Sequence, residues 1–442
     1  MDSTLTENRI TAGAAGMSDE RRRERLLWPD FIRGAAIIAV VSIHISGASG
    51  FPDNPLLLWL NSFVMAEFFF VAGALMRRGR RYSAGEFIRR RASAVMWPYL
   101  TFSACAVLFE LAIVLLSGGR VSGEMISVWL RCVFTLVGKG TLWFLPVFFF
   151  SSAAAYAALN ARRKETAGKD EPGRDAGPVL NRPGAAELLL FLAGLLAMAF
   201  VDWIFGATVA VLTGGGDGAA SDVFLVAIRS LAAASVILEG LWLAPLLDRL
   251  ALSERGALFA LACFVISLLV PAFYRMDFRN AQFGACPLLL FVSAAAAYGF
   301  LRWGAERACG ASSVEYEIPS EENGIPSAEN AARSAGNGIA GPAGKKECPL
   351  SVLTYFGRNS LTVMTTHLEW YIVYLIWKGM TAVTGAASSF GAGYLARHFA
   401  ALTLVMMIEY SLCGVINRCF PFLLRLPSFG KGDEGKKRPL KV

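Results

Sequence analysis

Two of the three histidines in this chain stand deep in apolar sequence. His44 closes the run Asp30-Phe-Ile-Arg33-Gly34-Ala-Ala-Ile-Ile-Ala-Val-Val-Ser-Ile-His44. His367 closes Gly357-Arg358-Asn359-Ser360-Leu-Thr-Val-Met-Thr-Thr-His367. Ionisable groups in hydrocarbon-length helices are expensive to bury and are functional candidates by default. The eleven residues from Arg33 to His44 bring a helix back to within about 20° of one face and separate the pair by about 16 Å along its axis. That face carries a cation near its mouth and an imidazole near mid-bilayer. His367 falls at similar depth, about 15 Å along its own helix. An imidazole so placed can move a proton, and an arginine can hold an anion or steady developing negative charge. Asp30, three residues before Arg33, can pair with it. Ser360, seven before His367, shares its face. The same residues also fit plainer roles: a helix-start acid, a snorkelling arginine, and histidines hydrogen-bonded to neighbouring helices. His398 follows Arg397 near the start of the last apolar window and is expected at the membrane interface.

A basic stretch, Arg77, Arg78, Arg80, Arg81, Arg89, Arg90 and Arg91, precedes Trp97-Pro98-Tyr99. It fits a positive-inside anchor for anionic lipid first. Seven arginines without a lysine also suit a phosphate-rich ligand such as a coenzyme A ester, because the guanidinium fork grips phosphate bidentately. Glu67, Glu110, Asp202, Glu239, Glu369 and Glu409 lie within apolar runs and are left without assigned partners. Trp59 and Trp143 fit an aromatic belt. The eight cysteines include no CxxC pair and read as small core residues, with no metal site expected. No GxSxG, P-loop, HExxH or dinucleotide fingerprint stands out.

The elements that must position these groups are membrane helices. Of 442 residues 55% are hydrophobic, and the mean hydropathy is +0.49. The class is all-α, a polytopic bundle of about ten spans. Windows fall near 31–49, 55–76, 95–116, 142–159, 187–205, 224–245, 257–273, 285–302, 358–378 and 394–414. A shorter piece near 125–138, interrupted by Arg131, is expected on the surface or re-entrant. With the N-terminus inside, the inner segments hold 33 of the 42 Lys and Arg and the outer ones eight, Arg33 being the remaining one. That asymmetry places both termini in the cytoplasm. The net charge of +8 therefore reports topology, not nucleic-acid binding. The first window, although preceded by Arg21, Arg22, Arg23 and Arg25, is expected to be a retained helix and not a cleaved signal. The expected organisation is a basic tail over 1–27, a membrane core over 28–303, a flexible cytoplasmic linker over 304–350, further core over 351–417 and a basic tail over 418–442. The segment 160–186 is also expected to be disordered. The linker carries a degenerate repeat, Ile318-Pro-Ser-Glu-Glu-Asn323 and Ile325-Pro-Ser-Ala-Glu-Asn330, too polar to bury apolar area.

Taken together, these motifs resemble membrane-bound acyltransferase family 3, in particular its fucose 4-O-acetylase-like and sugar O-acetyltransferase branch. The likeness rests on Asp30-Phe-Ile-Arg33-Gly34 through His44, on Phe68-Phe69-Phe70-Val71-Ala72-Gly73, and on Arg89-Arg90-Arg91 leading to Pro98-Tyr99. It continues in Trp143-Phe144-Leu145 and in Gly357-Arg358-Asn359-Ser360 through His367. It covers roughly 28–160 and 350–415. Two positions depart from the pattern: Ala94 stands where a second arginine is common, and Ala72 where serine is common. The resemblance implies transfer of an acyl group, acetyl above all, from cytosolic acetyl-CoA to a hydroxyl of a cell-envelope or exported carbohydrate, free or lipid-linked, at the inner membrane. His44 would serve as base or transient acyl carrier, Arg33 as donor-positioning or charge-stabilising group, and His367 as the residue that orients the acceptor or assists proton transfer. Arg89, Arg90 and Arg91 would hold donor phosphates, with Asp30, Ser360 and Trp143 in support. A transporter or flippase of a lipid-linked glycan, with buried charges lining its path, remains the alternative, although 28–160 and 187–302 show no internal repeat.

Overall fold

The computed structural model describes residues 26–50, 54–78, 82–167, 183–200, 218–273, 277–279, 281–283, 286–309, 351–385 and 390–425. The two expected linkers, apart from their helical edges, lie outside the described residues. So do both tails up to residue 25 and beyond 425.

The described chain is helical, with one isolated antiparallel bridge, Asp277 to Gln282. The first half contains α1 (Trp28–Ala48), α2 (Pro55–Asn61), α3 (Val64–Arg78), α4 (Ala84–Arg91), α5 (Trp97–Leu116), α6 (Gly123–Phe134) and α7 (Phe144–Ala167). The second contains α8 (Ala185–Ala199), α9 (Ala219–Ala251), α10 (Gly256–Leu269), α11 (Leu288–Cys309), α12 (Ser351–Arg358), α13 (Ser360–Thr366), α14 (Ile372–Thr384) and α15 (Ala392–Cys419). Seven helical stretches are long and apolar enough to cross a membrane, and three shorter apolar ones, Ala185–Ala199, Gly256–Ala272 and Ile372–Thr384, fall on other expected windows. The protein is a multi-pass membrane helical bundle.

Capping follows the sequence signals. Asn54 accepts from the Leu57 amide ahead of Pro55, and Ser83 and Ser122 cap α4 and α6 in the same way. The apolar piece near 125–138 is the short α6; the Tyr99 hydroxyl ties it to α5 by donating to the carbonyls of Cys132 and Val133. At twelve residues it is about 18 Å long, too short to span.

Two helix pairs pack through reciprocal glycines. A Cβ on Gly34 of α1 would collide with the Leu353 carbonyl of α12, and one on Gly357 of α12 with the Asp30 carbonyl of α1. Gly73 of α3 meets the Ile237 carbonyl of α9, and Gly240 of α9 meets the Phe70 carbonyl of α3. Small residues that let backbones touch are a main device for helix association in lipid. Three glycines of the sequence motifs, Gly34, Gly73 and Gly357, are thus packing residues.

Three expectations need correction. The window 358–378 is not one helix: it breaks at Asn359 and again over 367–371, where Tyr371 adopts a left-handed backbone with φ 57°. Threonine hydroxyls at 365 and 366 bond back to carbonyls at 361 and 362 within α13, and the Val373 amide bridges the second break by closing onto the His367 carbonyl. Second, α11 runs to Cys309, past the expected core boundary at 303. Third, His44 lies four residues before the end of α1, about 6 Å from it. It therefore sits towards one end of the bundle and not at its middle. We refer to this as the far end, and to the end with Trp28 and Arg91 as the basic end.

Candidate active site

His44 and His367 meet. Their ring centroids are 5.1 Å apart with planes at 46°. The His367 side chain is fully buried, and its Nδ1 lies 2.5 Å from the Val363 carbonyl. A carbonyl only accepts, so Nδ1 carries the hydrogen, and in the neutral ring Nε2 holds the lone pair. That Nε2 is buried and has no hydrogen-bond partner. His44 is only half-buried. The pair joins one imidazole open to an entering group and a second, tautomer-fixed imidazole with a free lone pair beside it.

The break after His367 serves this placement. Thr366 donates to Glu409 Oε2 at 2.8 Å, which ties the end of α13 to α15. Glu369 is buried and accepts from the Thr141 amide at 2.7 Å, while the Thr141 hydroxyl donates to the Met364 carbonyl at 2.6 Å. These bonds anchor the turn to the loop that enters α7. Lys139 in that loop forms an ion pair with Glu110. Burial holds its ammonium below the usual lysine range, with Glu369 acting in the opposite direction. Among the described residues three non-glycine positions have left-handed backbones, Leu136, Ala281 and Tyr371, and all three flank this end of the bundle. Strain of this kind collects where surrounding structure fixes a site.

His398 is not interfacial. It is fully buried on α15, with Nε2 sharing a 2.7 Å hydrogen bond with Ser42 of α1, two residues from His44. Trp143 is not in an aromatic belt; it is buried, stacks on Phe278 at 6.4 Å and lies 5.2 Å beneath the Arg229 guanidinium.

At the basic end the arginines separate. Arg89 and Arg90 are exposed, and Arg90 pairs with Glu86 at 3.0 Å over the Tyr82 ring. Arg91 turns inward: it donates to Ser152 Oγ at 3.1 Å, lies 4.5 Å over the Phe148 ring, and has a buried Nε with no partner. A π-helical turn, Ala92–Met96, follows it at once. Such turns insert a residue, rotate the side chains that follow and often mark functional sites. Ala94 within this turn is exposed. Arg33 is within electrostatic reach of Arg91. Two guanidiniums within electrostatic reach repel one another and together attract an anion. Asp30 bonds Arg358 at 3.4 Å. Ser360 begins α13, seven residues and about 10 Å from His367, which ends it, so the two are not partners.

The arrangement joins a basic anion-attracting end to an imidazole pair about 16 Å farther along α1. A family model described as an acyltransferase domain matches residues 26–410. The chain belongs to acyltransferase family 3. Comparison with curated proteins finds no match. Family membership decides between the two functions left open by the sequence: this is a membrane acyltransferase. The acyltransferase match takes in α1 to α14 and most of α15, so the His44–His367 pair and the Arg33–Arg91 pair both lie within it. Sequence reasoning missed Arg229, Arg279, Thr141 and the Glu409–Thr366 bond. Arg229 and Arg279 had a signal, since they are among the few cations assigned to the outer side.

Proposed function

We propose that the protein moves an acetyl group from acetyl-CoA to a hydroxyl of a carbohydrate destined for the cell envelope or for export, at the inner membrane. Both termini and the basic end face the cytosol in this reading, as the Lys and Arg asymmetry supports. Arg33 and Arg91 receive donor phosphates, supported by their closeness and by the unpartnered Arg91 Nε. The pantetheine arm then runs along α1 towards His44. Arg89 and Arg90, exposed on α4, are at most a peripheral attraction for the donor.

At the far end the acceptor hydroxyl attacks the thioester carbonyl. His44 takes the hydroxyl proton as the carbon–oxygen bond forms. Collapse of the tetrahedral intermediate breaks the carbon–sulfur bond, and the proton returns from His44 to the departing thiolate, giving an ester and free coenzyme A. His367 acts through His44: its Nε2 lone pair offers an acceptor to an N–H of the charged His44 ring and so steadies it. General-base assistance of this kind contributes about 10²–10⁴-fold. The observation that carries the proposal is the contact of a half-buried His44 with the fixed tautomer of His367.

The test is to compare surface and exported carbohydrates from cells with and without the gene, by mass. Expected is the loss of one acetyl per modified unit in cells that lack the protein, restored by the wild-type chain and not by His44→Ala. Unchanged carbohydrate, with label from acetyl-CoA reaching some other class of acceptor, overturns the carbohydrate assignment.

A further inference from the structure

At the far end, beside the histidine pair, a second basic site is built. Arg229 of α9 is 3% exposed, yet its Nε and Nη1 find no hydrogen-bond partner. Its guanidinium lies over Trp143, whose ring is stacked in turn on Phe278. Phe278 is 2% exposed and anchors a short hairpin, closed by mutual backbone bonds between Asp277 and Gln282 of 2.7 and 2.9 Å. The next residue, Arg279, is exposed and close enough to act electrostatically on both Arg229 and His44. Two acids, Asp222 and Asp277, are within electrostatic reach of Arg229. Asp222 already accepts from Arg131 at 3.2 Å and from Thr135 at 3.3 Å. Lys139 and Glu110 pair with each other, and Glu369 is held by Thr141.

A buried guanidinium with open donors is costly unless an anion completes it. Trp143 lies beneath this one and leaves its Nε and Nη1 unsatisfied.

We infer that Arg229 and Arg279 form the anion-binding half of the acceptor site, so that the sugar acylated here carries a carboxylate or a phosphoryl group near the reacting hydroxyl. The inference rests on the acyltransfer reading of the His44 site. Trp143 is its positioning residue: it aims the Arg229 guanidinium and leaves the acceptor to the two cations. This gives the far end the selectivity that a lone imidazole lacks, because a neutral sugar would leave the Arg229 donors unmet.

The full-length protein, purified in detergent, is melted with glucuronate, with glucose 1-phosphate and with glucose, each at matched ionic strength in sodium chloride, and separately with coenzyme A. Expected is a rise in melting temperature of about 2 °C with an anionic sugar at ten times its Kd and none with glucose. The rise should vanish in Arg279→Gln and in Arg229→Gln, while the coenzyme A shift persists in both. A response to glucuronate alone identifies the carboxylate, and a response to glucose 1-phosphate alone the phosphoryl group. Should Arg229→Gln fail to fold, the exposed Arg279→Gln carries the test. A shift by glucose equal to that by the anions, no shift beyond chloride, or a shift retained in Arg279→Gln overturns the inference. An anion shift without any coenzyme A shift supports the anion site and removes the donor reading instead.

Discussion

At the scale of single residues, the proposed catalysis rests on which nitrogen holds a proton. His367 donates from Nδ1 to Val363, so only its Nε2 is left to serve His44. His367→Ala is expected to lower kcat more than it raises KM for acetyl-CoA, and His367→Gln, whose amide oxygen can accept, to recover part of the loss. Equal KM effects in the two variants would assign His367 a binding role only. Arg91→Gln and Arg33→Ala are expected to raise KM for acetyl-CoA, read from initial rates across donor concentration, whereas Arg89→Gln should leave KM within about twofold, as for an exposed cation. The depth match of His44 and His367 was legible in the sequence because helical rise converts position into height. The inward turn of Arg91 was not, because it is set by Ser152 and Phe148 of α7, and spacing along one helix does not show what a distant helix offers. The burial of His398 was also hidden. Its partner Ser42 lies 356 residues away, and spacing within a helix says nothing about pairs between helices.

At the scale of helices, the site is held by backbone contact. Gly34 and Gly357 let α1 and α12 touch, which fixes the height of His44 against the chain that leads to His367. Gly34→Leu is expected to force these helices apart and to destabilise the protein by about 1–3 kcal/mol, as overpacking does. A lowered melting temperature in detergent would show it, and an unchanged one would mean the helices do not meet as described. Thr366→Val should act differently: it leaves a buried Glu409 oxygen without its donor, a loss of about 1–3 kcal/mol, with His44 itself untouched. Existence and order of the helices were plain from apolar runs, and the same glycines were visible as motif positions. What the sequence hid was the break of 358–378 into α12, α13 and α14. The second gap runs His367-Leu-Glu369-Trp-Tyr371 and holds no glycine or proline, so nothing in the local sequence signals a helix end there.

At the scale of the molecule, the proposed reaction gives the two ends opposed tasks. Charge counts in the sequence assigned them to opposite sides, and at each end two arginines fall within electrostatic reach of one another, Arg33 of Arg91 and Arg279 of Arg229. Deletion of 311–343 is expected to leave membrane insertion and turnover within about twofold of wild type, since a polar linker contributes little to packing; a large loss of turnover would give that segment a function. The central claim is that His44 performs the acyl transfer on a donor held at the opposite, basic end. It is tested most directly by measuring coenzyme A release and acetyl-CoA affinity in purified wild-type and His44→Ala protein. Expected is a fall in release of about 10²–10⁴-fold with affinity unchanged. Release by His44→Ala at close to the wild-type rate would contradict it.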